Sequence, residues 1–208
     1  MTKGSPALPA VYDEIGRGYV RHRRADPRIA QAIQDGLHDA VTVLDVGAGA
    51  GNYEPADRSV IAVEPSELML ATRTQNAAPA ARATAEALPI RTQAFDAALV
   101  VLSLHHWTNW RAGLAELTRV SRRQVLFTFD PTIHHQFWLI QDYFPAIARL
   151  PTNQPPSPRE IAEALGGAQI IDVPVPSDCQ DGFLWAYFNR PGPSLIPASK
   201  PATHLWPC

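Results

Sequence analysis

Short apolar runs and helix-period segments alternate along the chain from about residue 27 to residue 176. Asp26-Pro27 joins an N-cap acid to a proline at the first helical position, and Ile29, Ile33 and Leu37 recur at helical spacing behind it. Val41–Val46 predicts a short strand that stops at a glycine cluster, where a helix should start. Val60–Val63 predicts a second strand, followed by Glu64-Pro65 and a helix capped by Ser66. A third, weaker strand lies near Arg82–Ala85. Ala97–Leu102 is apolar enough to be buried on both faces. A helix follows near Trp110–Val120, with Leu114, Leu117 and Val120 on one stripe, and Gln124–Phe129 is a fifth strand ended by Asp130-Pro131. Strands alternating with helices pair in parallel through right-handed crossovers. The expected fold is therefore α/β, a doubly wound, mostly parallel sheet with helices on both faces.

The C-terminal third changes character, with twelve of the twenty prolines after residue 144. A helix near His135–Leu150 is expected, kinked or divided at Pro145. Ser157 and Glu160 form a capping box for another, which ends at Gly166-Gly167. Ile170–Val175 reads as a sixth strand. Phe183–Phe188 is either a short final strand or a short helix. The run from Pro191 to Cys208 reads as an irregular, proline-stiffened tail, because proline lacks the ladder donor. The domain expected is residues 1–190, with N-terminal cap helices in 1–38, a ligand-binding half in 39–130 and a second half in 131–190. An edge or apolar patch left by a missing last strand would be covered by the tail or by a second subunit, so a homodimer stays open.

Composition narrows the partners. With 208 residues, 46% hydrophobic and 18% charged, the chain is globular and holds one domain. The net charge of −2 and the dilution of the cluster Arg21–Arg24 by Asp13, Glu14 and Asp26 argue against nucleic acid. No apolar stretch is long enough to span a membrane, and the N-terminus shows no secretory signal. Cys179 and Cys208 read as free thiols of a cytoplasmic protein.

The segment Leu44–Asn52 carries the candidate chemistry. Glycines at 47, 49 and 51 let a backbone approach a ligand closely at the carboxyl end of a strand. Glu64 ends the next strand, where a carboxylate can accept both ribose hydroxyls of an adenosine. A dinucleotide fingerprint needs its third glycine at the sixth position, which here is Asn52.

The arrangement Asp45-x-Gly47-x-Gly49-x-Gly51 resembles the first motif of class I S-adenosylmethionine-dependent methyltransferases, whose sheet is Rossmann-like. Val63–Ser66 with Met69 is similar to the family's acidic second motif. Ala85–Pro89 resembles the turn that lies along the adenine, and Phe95–Ala98 through Leu104–Trp107 resembles the fourth strand and loop of the UbiE-like, methyltransferase type 11 branch. The resemblance covers about residues 10 to 190. Only twelve residues separate Gly51 from Glu64, so the first crossover helix should be about one turn short of the family's. A final antiparallel strand, usual in the class, is expected to be shortened or missing here.

The resemblance implies S-adenosylmethionine as cofactor, S-adenosylhomocysteine as its product and a small-molecule O, N or C acceptor. It assigns the cofactor to Asp45, Gly47, Ala48, Gly49, Gly51, Asn52, Glu64, Pro65, Met69, Ala85, Glu86, Ala87, Leu102 and Ser103. Tyr19 and Arg24 would join them from the N-terminal segment, near Tyr12 and Arg21. His106, and next to it His105, follow the fourth strand at the right end of the sheet for a general base, or else pack in a loop over the cofactor. His134 and His135 with Asp130 lack the defined spacing of a metal site. Asp178–Phe183 could face the acceptor or form a plain turn. A methyltransferase-fold protein that keeps the cofactor without methylating, as a binding protein or cyclase, is the alternative, and a nicotinamide oxidoreductase is third.

Overall fold

The computed structural model describes residues 23–143 and 155–189. Helix α1, Pro27–Leu37, is capped by Asp26, whose carboxylate accepts the Arg28 N–H at 3.0 Å. Ile29, Ile33 and Leu37 form its buried face. Strands β1 (Thr42–Val46) and β2 (Ser59–Val63) follow, then α2 (Glu67–Thr72), capped by Ser66. Next come β3 (Ala80–Ala81), β4 (Phe95–Val101), α3 (Trp110–Val120), β5 (Ser121–Phe127) and α4 (Pro158–Ala164). The Ser157–Glu160 capping box opens α4 as its sequence requires.

The five strands form one parallel sheet in the order β3-β2-β1-β4-β5. Alternate residues of β1 face opposite layers. Leu44 and Val46 pack with Val63, Ala98, Leu114, Leu117 and Ile161, under α3 and α4. Val43 packs with Ile29, Ile33, Leu37, Leu99 and Phe183, under α1 and the C-terminal segment. The sheet is doubly wound.

Three expectations are corrected. No helix follows the glycine cluster: residues 47–58 cross from β1 to β2 through turns, because the span is short and Pro55 sits inside it. Strand β3 lies two residues earlier than expected and is only two residues long. Residues 170–175 form no strand, since Pro174 removes a ladder donor within the run and Pro176 another just beyond it, and Ile171 is 65% exposed. Leu184–Tyr187 is a single 3₁₀ turn, the helical one of the two alternatives for that segment. Five strands, not six, therefore make up the sheet among the described residues. The segment after β5 folds as a 3₁₀ turn, Pro131–Gln136, and a π turn, Leu139–Tyr143. The expectations for residues 1–22, 144–154 and 190–208, the tail included, lie outside the described residues. No helix among the described residues is long and apolar enough to cross a membrane.

Candidate functional site

The carboxyl ends of β1, β2 and β4 bring most of the expected residues together. Gly47, Gly49 and Gly51 take φ of 73°, 53° and 86°, a region that favours glycine. Gly47 is also pinned sterically, because a Cβ there would stand 2.4 Å from Ser103 Oγ. Ser103 donates to the Val46 carbonyl at 3.0 Å, so the residue after β4 rests on the turn after β1. A Cβ on Gly49 would meet Met69 Cε at 3.2 Å.

The loop's amides are already engaged. Gly47 and Ala48 donate to the Val63 carbonyl at 2.8 and 3.2 Å, Gly51 donates to the Ala48 carbonyl at 2.9 Å, and Gly49 donates to Glu64 Oε2 at 2.8 Å. With those four N–H groups bonded and no helix behind them, the loop offers close approach rather than an anion cradle.

Two buried carboxylates stand at the loop. Glu64 is held inward, accepting from Gly49 and, through Oε1 at 2.9 Å, from the Ser66 N–H. Asp45 is 4% exposed and its Oδ1 has no hydrogen-bond partner. Burial pushes its carboxyl up to about 8, with the Glu54 and Glu64 charges adding to the shift and Arg73 opposing it. Arg73 is a residue that sequence reasoning missed. It pairs with Glu54, donates to the Gly49 carbonyl at 3.0 Å and to the Ala78 carbonyl at 2.8 Å, and so ties the glycine loop to the approach to β3. Nothing in the local pattern marked it, because its partners come from three separate segments.

The remaining candidates scatter. Asn52 and Pro65 are half-buried at the loop. Ala85 is buried with Leu104 and Trp107. Glu86 accepts the Asn109 N–H at 3.1 Å at the start of α3, while Ala87 is exposed. Arg24 is exposed, and its backbone N–H donates to Asp181 at 3.1 Å. Tyr19 lies outside the described residues.

Beyond β4 the chain turns sharply. Leu102 has φ of 49°, uncommon for a bulky residue and typical of backbone held in place at a site. Leu104–His106 forms a 3₁₀ turn in which the His105 and His106 rings lie 3.8 Å apart, with Phe129 5.1 Å from His105. Burial lowers His106 to about 4, so its ring is neutral at neutral pH. A cavity of about 240 Å³ opens beside this turn; His105 lines it and His106 does not.

Residues 44–129 match the family described as a methyltransferase domain. That stretch is similar to the catalytic domain of class I methyltransferases. The match implies S-adenosylmethionine as cofactor. The domain is similar to a solved protein of Anabaena variabilis assigned as a methyltransferase of an antibiotic biosynthesis pathway. The identity is 29%, the TM-score 0.72, and the match covers 82% of this chain and 74% of that one. An S-adenosylmethionine-dependent methyltransferase structure from Thermotoga maritima shares the fold at 24% identity and a TM-score of 0.59, covering 75% and 77% of the two chains. An uncharacterized protein of Methanocaldococcus jannaschii is 26% identical over 136 residues, 63% of this chain. The chain spans about half the length of that curated relative, at 54%.

The residues present fit the cofactor. It offers hydroxyls and an ammonium to acidic side chains, and Glu64 and, on giving up its proton, Asp45 would accept them. It carries no phosphate, and the bonded loop amides leave no cradle for one.

Proposed function

We propose that this methyltransferase moves the methyl group of S-adenosylmethionine to an O, N or C atom of a small-molecule acceptor. The observation that carries the reading is the pairing of engaged loop amides with buried Asp45 and Glu64. It favours a phosphate-free adenosine cofactor over a dinucleotide.

In this reading Glu64 holds the ribose hydroxyls while staying anchored on Gly49 and Ser66. Asp45 Oδ1 takes the ammonium of the amino-acid end, gaining the donor that it lacks. Gly47 and Gly49 let the backbone touch the cofactor, and Met69, Pro65 and the Ala85–Ala87 turn flank its ring. The bound cofactor supplies a methyl on a cationic sulfur: the acceptor's lone pair forms the new bond to carbon, the C–S pair returns to sulfur, and any proton on the acceptor atom leaves. The protein's part is orientation and exclusion of water, with a base where the acceptor arrives protonated.

His105 is the better placed base, because it lines the cavity. His106, stacked on it and weakened as a base by burial, backs the ring. A cytoplasmic setting goes with the reading, in which Cys179 is kept as a buried thiol.

Calorimetry with S-adenosylhomocysteine and NAD tests the assignment. Micromolar-range binding of the first and none of the second is expected; the opposite preference would overturn it.

A further inference from the structure

We infer that the cavity beside the histidine turn is an acceptor subsite for an uncharged aromatic ring, and that Trp107 and Trp110 set this selectivity. The inference rests on the methyl-transfer reading for the identity of the occupant as acceptor, but not for its chemistry.

Trp107, Trp110, Pro155 and Pro156 give the cavity apolar walls, and His105 and Thr108 give it a polar edge. Among the described residues that line it there is no carboxylate, lysine or arginine. A dry cavity of about 150 Å³ holds benzene. The volume of about 240 Å³ found here therefore suits one substituted ring or a fused pair.

The seat of Trp107 supplies an independent observation. A Cβ on Gly113 would lie 2.4 Å from Cε3 and 2.6 Å from Cζ3 of the indole. Glycine inside a helix is unfavourable by about 1 kcal/mol against alanine. Helix α3 accepts it at Gly113, and the six-membered ring of the indole takes the space a side chain would fill there. From that seat Trp107 Nε1 comes within 3.9 Å of the position a Gly47 Cβ would take. One indole thus spans the ring subsite and the glycine loop where the cofactor binds, which puts an occupant next to the donor end of the site.

Indole faces also attract cations. The guanidinium of Arg111 already lies 4.0 Å over the Trp110 ring, and no lining carboxylate would neutralise an ammonium. With that guanidinium engaged on the Trp110 face, an acceptor carboxylate or phosphate would meet no cation among the described lining residues. An uncharged phenol or nitrogen heteroaromatic is what remains, with its heteroatom towards His105.

The test measures dissociation constants of 2-naphthol, decahydro-2-naphthol, 2-naphthoate and tyramine, with and without S-adenosylhomocysteine on the full chain. An offset or edge-to-face aromatic contact strengthens binding by about 2- to 12-fold beyond its area. With two indoles, 2-naphthol should bind at least about tenfold tighter than each of the other three. Trp110→Leu should erase most of that preference and leave S-adenosylhomocysteine binding within about twofold, while Trp110→Phe restores most of it. Equal affinity for the saturated ring, preference for the carboxylate or the amine, or indifference to Trp110→Leu would overturn the inference. Loss of S-adenosylhomocysteine binding by the unmodified chain would sink the methyl-transfer reading instead, and the naphthol series measured alone still decides the subsite.

Discussion

The phenol of Tyr53 donates to Asp181 Oδ2 at 2.9 Å, joining the turn after the glycine loop to a segment 128 residues away. The same carboxylate accepts Arg23 Nε at 2.7 Å and the N–H groups of Arg24 and Gly182 at 3.1 and 2.7 Å. Its neighbour in this corner is Asp26, held well below the usual carboxylate range by Arg28; the Asp26 carboxylate also accepts the Gln180 N–H at 3.0 Å. The expected turn at Asp178–Phe183 is thus a polar joint between the two ends of the described chain.

Removing Asp181 takes a buried ion-pair partner from Arg23, since the Arg23 and Asp181 side chains are only 7% and 0% exposed. Asp181→Ala should lower the unfolding free energy by about 3–5 kcal/mol. Tyr53→Phe, which leaves the ion pair whole, should lower it by only about 1 kcal/mol. Urea denaturation of both variants checks this, and equal losses would refute the ranking.

Asp45 makes stability depend on pH. Its native carboxyl, pushed up to about 8, keeps a proton that the unfolded chain releases near the ordinary carboxyl value of 3.8. Between those values the native state binds more protons, so this residue's contribution falls as pH rises from about 4 to about 8 and is flat above. The slope is at most about 1.4 kcal/mol per pH unit. The expected outcome is that Asp45→Asn gains on the unmodified protein across that window. Parallel stability curves for the two proteins would show that Asp45 is ionised throughout. In the unmodified protein, cofactor binding at pH 7 should release close to one proton, measurable by calorimetry in buffers of different ionisation heat.

Glu64→Ala should weaken S-adenosylhomocysteine binding at least about tenfold, because hydrogen bonds to a charged acceptor contribute about 1.5–3 kcal/mol each. The variant also frees the Gly49 N–H, so circular dichroism must first show that it is folded. An unchanged dissociation constant in the folded variant would remove Glu64 from the cofactor site.

The two histidines separate by rate. His105→Ala should lower kcat about a hundredfold at saturating acceptor, the usual scale for a general base. His106→Ala should lower it by less than about tenfold, because a ring titrating near 4 is a poor base at neutral pH. The reverse order would return the role to His106. Similar small losses for both would leave catalysis to proximity and desolvation.

Local signals explain what could be read in advance. Helix Trp110–Val120 was legible because its apolar stripe and Asn109 cap lie within one short segment. The strands ending at Val46 and Val63 were legible for the same reason, and with them Asp45, the glycines and Glu64. Residues 170–175 misled because apolar spacing outweighed Pro174 in the reading. Glu54, Arg73, Tyr53 and Asp181 left no trace because each acts through partners distant in sequence. Polar pairing across layers has no period along the chain.

The parallel pairing around β1 also sets an order of assembly. Thr42 pairs with Ser59, whereas Val43 pairs with Ala97, more than three times farther along the chain. Closing the longer loop carries the larger entropic penalty, and parallel sheets built from such distant pairs fold slowly. A nascent chain that has emerged only as far as β2 would hold the glycine turn and Glu64 but neither Ser103 nor Trp107. The binding surface therefore matures with the docking of β4, and the cofactor would stabilise only chains that have passed that step.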